Sequence, residues 1–232
     1  MQIDMMVNGK PLMEFGGLLL REYDVQDCVV ENNTYKGRLN TSYTWLGGTV
    51  GLKEVRIEIA FFGHDRHEVM WNKSRFAGAI YGKVELFLPD GYFYTSILTD
   101  SKINEWIAEQ GVVVQYTFKA MQHGAYEEFP SGSGTTDILC RSTVPFTDCI
   151  MSYTVPVGGS TTYNFNVNGS RCAQFKNLAE GDVCVLDGIN KRLLKNGDNY
   201  AASVTLTKFP QLVPGLNTKN ASSTAGYYPV YM

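Results

Sequence analysis

The chain has 232 residues, 44% hydrophobic and 19% charged, a balance that buries a core and excludes wholesale disorder. Lys and Arg number 20 against 23 Asp and Glu, for a net charge of -3, so the basic surplus that grips phosphate backbones is missing. With 14 Tyr, 12 Phe and 23 Gly, strands and tight turns are favoured over long helices. The length predicts one or two domains. Apolar runs such as 18–20 and 112–114 are too short to cross a bilayer, and the first residues lack the basic and apolar regions of a secretory leader.

In chain order, Val55, Ile57, Ile59 and Phe61 alternate with Glu54, Arg56, Glu58 and Ala60, the period-2 signature of a strand with one wet face. Asp65 followed by Glu68 forms a capping pattern, because their carboxylates can accept from backbone N–H groups left orphaned at a helix start. Val69, Met70, Phe76, Ala77 and Ile80 then recur at three- and four-residue spacing, which predicts an amphipathic helix over 65–80 lying on a sheet. Strands at 83–88 and 92–98 flank Pro89, Asp90 and Gly91. Pro presets the first turn dihedral, Asp bonds forward and Gly takes the left-handed position, so this is a β-hairpin. Val112, Val114, Tyr116, Phe118 and Ala120 mark one more long strand.

Residues 129–136 (FPSGSGTT) carry no apolar period; their Ser and Gly leave the backbone unrestrained and predict a linker. The expected domains are therefore 1–131 and 138–232. In the second, Tyr163, Phe165 and Val167 alternate with Asn164, Asn166 and Asn168 before Gly169. Strands at 183–186 and 191–194 are joined across Asp187 and Gly188, and 204–209 precede Pro210. Short strands with Gly and Asn turns predict a β-sandwich.

The residues suggest contact rather than catalysis. His64 and His67 stand at i,i+3, a spacing that can chelate a metal, but no third ligand is placed by spacing and capping is the simpler role. Ser131 and Ser133 lie in the linker without a nucleophile elbow. The run from Gly47 to Lys53 lacks phosphate-loop spacing and is expected to be a β-turn. Glu127 and Glu128 are strand neighbours, which point to opposite faces and spoil a glycosidase pair. The N-x-[ST] triplets at Asn32, Asn40, Asn72, Asn168 and Asn220 are expected in polar turns. Tyr153, Tyr163 and Tyr200 could offer a sugar-stacking platform or serve a sandwich core. The cysteines, Cys28, Cys140, Cys149, Cys172 and Cys184, form no C-x-x-C pair; reduced thiols are expected, one or two of them buried. No catalytic, cofactor-binding or metal-ligating residue is assigned.

Several stretches, in order, resemble the distal tail protein (Dit) family of long-tailed bacteriophages and prophages. They are residues 7–20 (VNGKPLMEFGGLLL), 62–67 (FGHDRH), 72–74 (NKS), 82–94 (GKVELFLPDGYFY), 209–217 (FPQLVPGLN) and 227–231 (YYPVY). The resemblance implies a mainly β protein with two domains. The N-terminal one would be a tube-like β-barrel or sandwich with one helix that forms a ring, expected to be a hexamer. The C-terminal one would be a galectin-like, carbohydrate-binding-module-like β-sandwich. It implies no enzyme and no cofactor, but a virion structural protein of the tail tip, made in the host cytoplasm. Its partners would be itself, the tail-tube protein and the tail-associated hub protein, with a receptor-binding protein or host glycan beyond; neither nucleic acid nor membrane is implied. No insertion is long enough for an arm that would hold a receptor-binding protein. The alternative is a free-standing, lectin-like adhesion protein; a wall-degrading hydrolase ranks third for want of an acid/base pair.

Overall fold

In the computed structural model, residues 4–20, 23–35, 44–132 and 136–232 are described, 44–48 as backbone only. Contacts divide the chain into two compact units, Met1–His123 with Met232, and Gly124–Tyr231. Each has its own hydrophobic core. The division falls after His123, ahead of the Gly/Ser segment expected to separate the domains. The reason is hydrogen bonding. Glu127–Phe129 is a strand of the second unit, the Gly132 N–H donates to the Ala221 carbonyl, and Lys219 Nζ donates to the Pro130 carbonyl. Residues 133–135 of the expected linker lie outside the described residues.

The first unit opens with β1 (Met6–Val7), β2 (Lys10–Pro11), a 3-10 turn at Leu12–Phe15, β3 (Gly17–Leu19) and β4 (Asp24–Gln26). It continues with β5 (Val30–Tyr35), β6 (Thr44–Val50), β7 (Lys53–Phe62), α1 (Arg66–Ala79), β8 (Lys83–Phe87), β9 (Phe93–Ile107) and β10 (Gly111–His123). Its main sheet runs β2-β1-β8-β9-β10-β7-β3, with β4 also paired to β7. Among the described residues the sheet does not close on itself, so the unit is an open sheet bearing a helix rather than a barrel. Strand alternation reports which face is wet and is blind to closure.

The expected periodicities place the core. On β7, Val55, Ile57, Ile59 and Phe61 are fully buried, and antiparallel pairing sets them beside Phe118, Tyr116, Val114 and Val112 of β10. Helix α1 covers this face with Val69, Phe76 and Ile80. Phe76 lies 5.1 Å from Tyr116, 5.4 Å from Phe61 and 5.8 Å from Phe15, centroid to centroid. Met70 and Ala77, expected on the buried face, are exposed. Each sits one residue past a buried position, about 100° round the helix. The cap is as expected: Asp65 Oδ1 accepts from the Glu68 N–H at 2.8 Å, and Glu68 Oε2 accepts from the His64 N–H at 2.6 Å.

The second unit carries β11 (Glu127–Phe129), β12 (Asp137–Cys140), β13 (Thr147–Thr154), β14 (Tyr163–Val167), β15 (Ser170–Phe175) and β16 (Val183–Asp187). After these come β17 (Arg192–Lys195), β18 (Asp198–Asn199), β19 (Val204–Leu206), β20 (Gln211–Leu212), β21 (Gly215–Thr218) and β22 (Thr224–Tyr227). One sheet runs β11-β22-β13-β16-β17-β18, another β14-β15-β19, and β12 pairs β21. Met151, Cys184, Leu186 and Tyr227 of the first meet Phe165, Cys172 and Phe175 of the second in one core. The Asn168–Gly169 turn has positive φ at both positions, 51° and 73°, the geometry a two-residue hairpin requires. Cys140, Cys149, Cys172 and Cys184 are all buried free thiols, more than the one or two expected. Burial pushes the Cys184 thiol up to about 11, so it packs as a small apolar group.

Candidate assembly surface

None of the residues weighed for chemistry forms a reactive site. His64 and His67 are exposed at the start of α1, and no group of three or more His, Cys, Asp or Glu among the described residues could hold a metal ion. Gly47 to Val50 is strand β6 rather than the expected turn; only Gly51 and Leu52 lie between β6 and β7. Glu127 accepts from the Tyr227 hydroxyl at 3.1 Å and from Arg141 at 3.4 Å. Of the N-x-[ST] positions, Asn168 and Asn220 lie in turns, Asn32 is in β5 and Asn72 is in α1; Asn40 lies outside the described residues. The aromatic trio is occupied. Tyr153 and Tyr163 stack on each other with centroids 3.6 Å apart, and Tyr200 stacks on Phe175 while its hydroxyl donates to the Lys176 and Asn177 carbonyls. Tyr153 and Tyr163 thus each cover one face of the other, and Tyr200 packs on the core.

The motif residues that carry the family resemblance are locks of the fold. Asn8 and Gly9 make the β1–β2 turn at φ 50° and 76°, and Asn8 also donates to the Ala79 carbonyl at the helix end. Gly16 turns at φ 65° against the Asn72 side chain, where a Cβ would collide, and Asn72 Nδ2 donates to the Phe62 carbonyl at 2.8 Å. Gly91 closes the β8–β9 turn at φ 85°, where Asp90 accepts from the Tyr92 N–H and the Tyr94 hydroxyl. Asn217, fully buried, uses its whole amide: it donates to the Val213 and Gly215 carbonyls and accepts from the Val213 N–H and Asn168 Nδ2. Such residues specify turns and leave the working surface to others.

That surface is legible in the strand edges. β8 pairs β9 only from Phe93 to Ile97, so beyond Ile97 one side of β9 has no strand partner among the described residues as far as Ile107. Every residue from Thr99 to Ile107 is exposed, including Ile103, Trp106 and Ile107. Arg66 lies over the Trp106 ring at 4.4 Å. The register shifts past Thr99 and Asn104, two β-bulges that bend the strand. A second element is the β5–β6 ribbon, which among the described residues pairs with no other strand. All of β5 is exposed, and so are Val29 and Leu52 at its base. A lone two-stranded ribbon is at best marginally stable in water, and open edges are templates for pairing with another chain.

The ribbon feeds into Lys53, where β7 begins, and the free part of β9 runs, across β10, alongside β7 from Val55 at the level of Leu98 to Phe62 at the level of Ile107. At the start of β7 the wet face is polar: Glu54 is bridged by Arg56 and by Lys119 at 2.8 Å, and its carboxyl is held below the usual range chiefly by the Lys119 hydrogen bond. Sequence reasoning assigned no strand to either region, since residues 99–110 carry no alternating apolar pattern and 21–53 no long period.

No protein-family model matches the sequence, and no curated protein matches it. Solved structures do. The SPP1 Dit (gp 19.1) protein, described as a paradigm of the hub adsorption apparatus in phages infecting Gram-positive hosts, is 12% identical. The match covers 99% of each chain with a TM-score of 0.71. The phage P2 baseplate in its activated conformation with Ca matches at 10% identity over 94% of this chain and 92% of that one, TM-score 0.56. The same baseplate with Sr matches equally. At these identities the likeness is one of fold: from end to end this chain is built like the Dit hub protein, as the order of its motifs led one to expect.

Proposed function

We propose that the protein is a structural component of a phage or prophage tail tip: a distal-tail adaptor that forms a ring, hexameric by resemblance, between the tail tube and the tail-tip hub. The observation that carries this reading is the fold shared with SPP1 Dit over 99% of both chains. The open strand edge of the first unit supports it, because a head-to-tail contact repeated around an axis closes a ring. In this reading the first unit assembles, the second is the galectin-like sandwich, and the partners are further copies, the tail-tube protein and the hub protein. A net charge of -3 suits a ring through which DNA slides without being retained. The role is one of contact, without a cofactor.

Light scattering of the full chain over a concentration series, with negative-stain microscopy, tests this. Rings or ring-sized particles are expected. A chain that stays monomeric at the highest concentrations and binds a defined oligosaccharide would replace the adaptor with the lectin-like reading.

A further inference from the structure

We infer that Asn8 is a site of spontaneous covalent modification, converting to aspartate and isoaspartate while the same dipeptide at Asn168 and Asn196 is held unreactive. Asn-Gly occurs at 8–9, 168–169 and 196–197, each time as the two-residue loop of a hairpin: β1–β2, β14–β15 and β17–β18. The loops share one conformation, with φ of 50° and 76°, 51° and 73°, and 54° and 89°. A Cβ on Gly9, Gly169 or Gly197 would meet nothing within 4 Å, so water reaches the three alike. Their backbone holds are alike too. Each Asn N–H donates to the carbonyl of one residue on a facing segment, and each Asn Oδ1 accepts from that residue's N–H: Glu85, Thr218 and Val183 in turn.

The reaction needs only water. The Gly nitrogen, its proton passed to hydroxide, attacks Cγ of the preceding Asn. The Cγ–Nδ2 bond breaks, Nδ2 takes a proton from water and leaves as ammonia, and a five-membered succinimide remains. Water then opens either carbonyl, giving aspartate or, with the chain rerouted through Cγ, isoaspartate. Attack requires the amide to quit its partners and the turn to open, so the one bond that differs decides. Asn8 Nδ2 donates to the Ala79 carbonyl at 3.1 Å, in the open. Asn168 Nδ2 donates at 2.9 Å to Oδ1 of the fully buried Asn217, and Asn196 Nδ2 donates at 2.8 Å to the Asp182 carboxylate. A bond to an ionised acceptor is roughly twice as strong as a neutral one, and a bond shielded from water is stronger than an exposed one. β1 and β2 have two residues each, against five and six in β14 and β15; β18 also has two, so Asn196 depends on its carboxylate partner. The product at position 8 can no longer donate to Ala79, and isoaspartate adds a backbone atom to a two-residue loop. The link from the β1–β2 turn to the end of α1 is then lost.

The test is peptide mass mapping of the full chain held at mildly alkaline pH, folded and in urea, with digestion in acid to stop the reaction. The mass gained when NH2 becomes OH, together with enzymatic methylation of isoaspartate, scores each site over time. Dividing each folded rate by the rate at the same site in urea removes the effect of sequence neighbours. On that scale Asn8 is expected to be the fastest, by about tenfold, the difference that a charge-assisted or shielded bond makes. Below the unfolding transition its rate is expected to be flat in urea, as a local opening is. Protection at Asn8 equal to or above that at either other site, or a folded chain in which no site converts, would overturn the assignment. So would an Asn8 rate that climbs with urea as global unfolding does, since the turn's own holds would then decide nothing.

Discussion

In the second unit, the outer edge of β14 is sealed. Asn220 Oδ1 accepts from the Asn166 N–H at 2.7 Å, the Asn168 N–H donates to the Thr218 carbonyl, and the Thr218 N–H donates to Asn168 Oδ1. In the first unit, β9 runs on past Ile97 with β10 on one side and, among the described residues, no strand on the other, and β5–β6 stands as a separate ribbon. The strands have similar chemistry and their edges opposite fates. An edge stapled by side-chain amides is closed to further pairing, whereas a bare edge invites it. The contrast supports the proposal that the first unit carries assembly.

The comparison presumes a rigid first sheet, and the largest expected effect tests that. Phe76→Ala should destabilise the first unit by about 3–5 kcal/mol, since the fully buried ring touches three other aromatic rings. Chemical denaturation of the full chain would show it; a loss below about 1 kcal/mol would mean that the helix is not the lid of that core.

The closed edge can be broken from beneath. Asn217→Ala leaves the Val213 N–H and two carbonyls without their partner, at about 1 kcal/mol for each hydrogen bond lost. Reduced stability of the second unit is expected, together with faster proteolysis near Pro214. A gentler opening is Asn220→Ala, which frees the Asn166 N–H and should cost about 1 kcal/mol. If edge sealing keeps the second unit from pairing, this variant should show added concentration-dependent association by light scattering. Unchanged association would mean that the amide seals nothing of consequence.

The smallest effect lies in pH. The Asp182 carboxyl is held below the usual aspartate range, chiefly by the Ala179 N–H and then by the Asn196 amide, with Lys195 adding its ammonium. A folded value below the unfolded one, about 3.9, means the stabilisation is full above that pH and drains away as pH falls through the folded value. Acid titration of unfolding should therefore show a second-unit slope below about pH 4 that Asp182→Asn flattens. An unaltered slope would assign the acid sensitivity elsewhere.

Much of this fold is legible in the sequence because it is local. Alternation on 54–61 and 112–120, the Asp65–Glu68 cap and the Pro89-Asp90-Gly91 turn each depend on neighbours within a few residues. The motifs are legible for the same reason: Asn8, Gly16, Asp90, Gly91 and Asn217 are backbone locks, so their order points to the fold at an identity of only 12% to its solved relative. Other features were decided by tertiary structure. Composition reads residues 129–136 as a linker, but Lys219, buried with a depressed ammonium value, donates to the Pro130 and Ser223 carbonyls and ties one flank into the second unit. Tyr153 and Tyr163 have the same identity as rings on a sugar platform; only their 3.6 Å stacking shows that each covers one face of the other. The free edge of β9 is the clearest case. Whether a strand has a neighbour depends on where β8 begins, at Lys83 opposite Ile97, and a hydrogen bond left unmade between distant segments leaves no mark on either sequence.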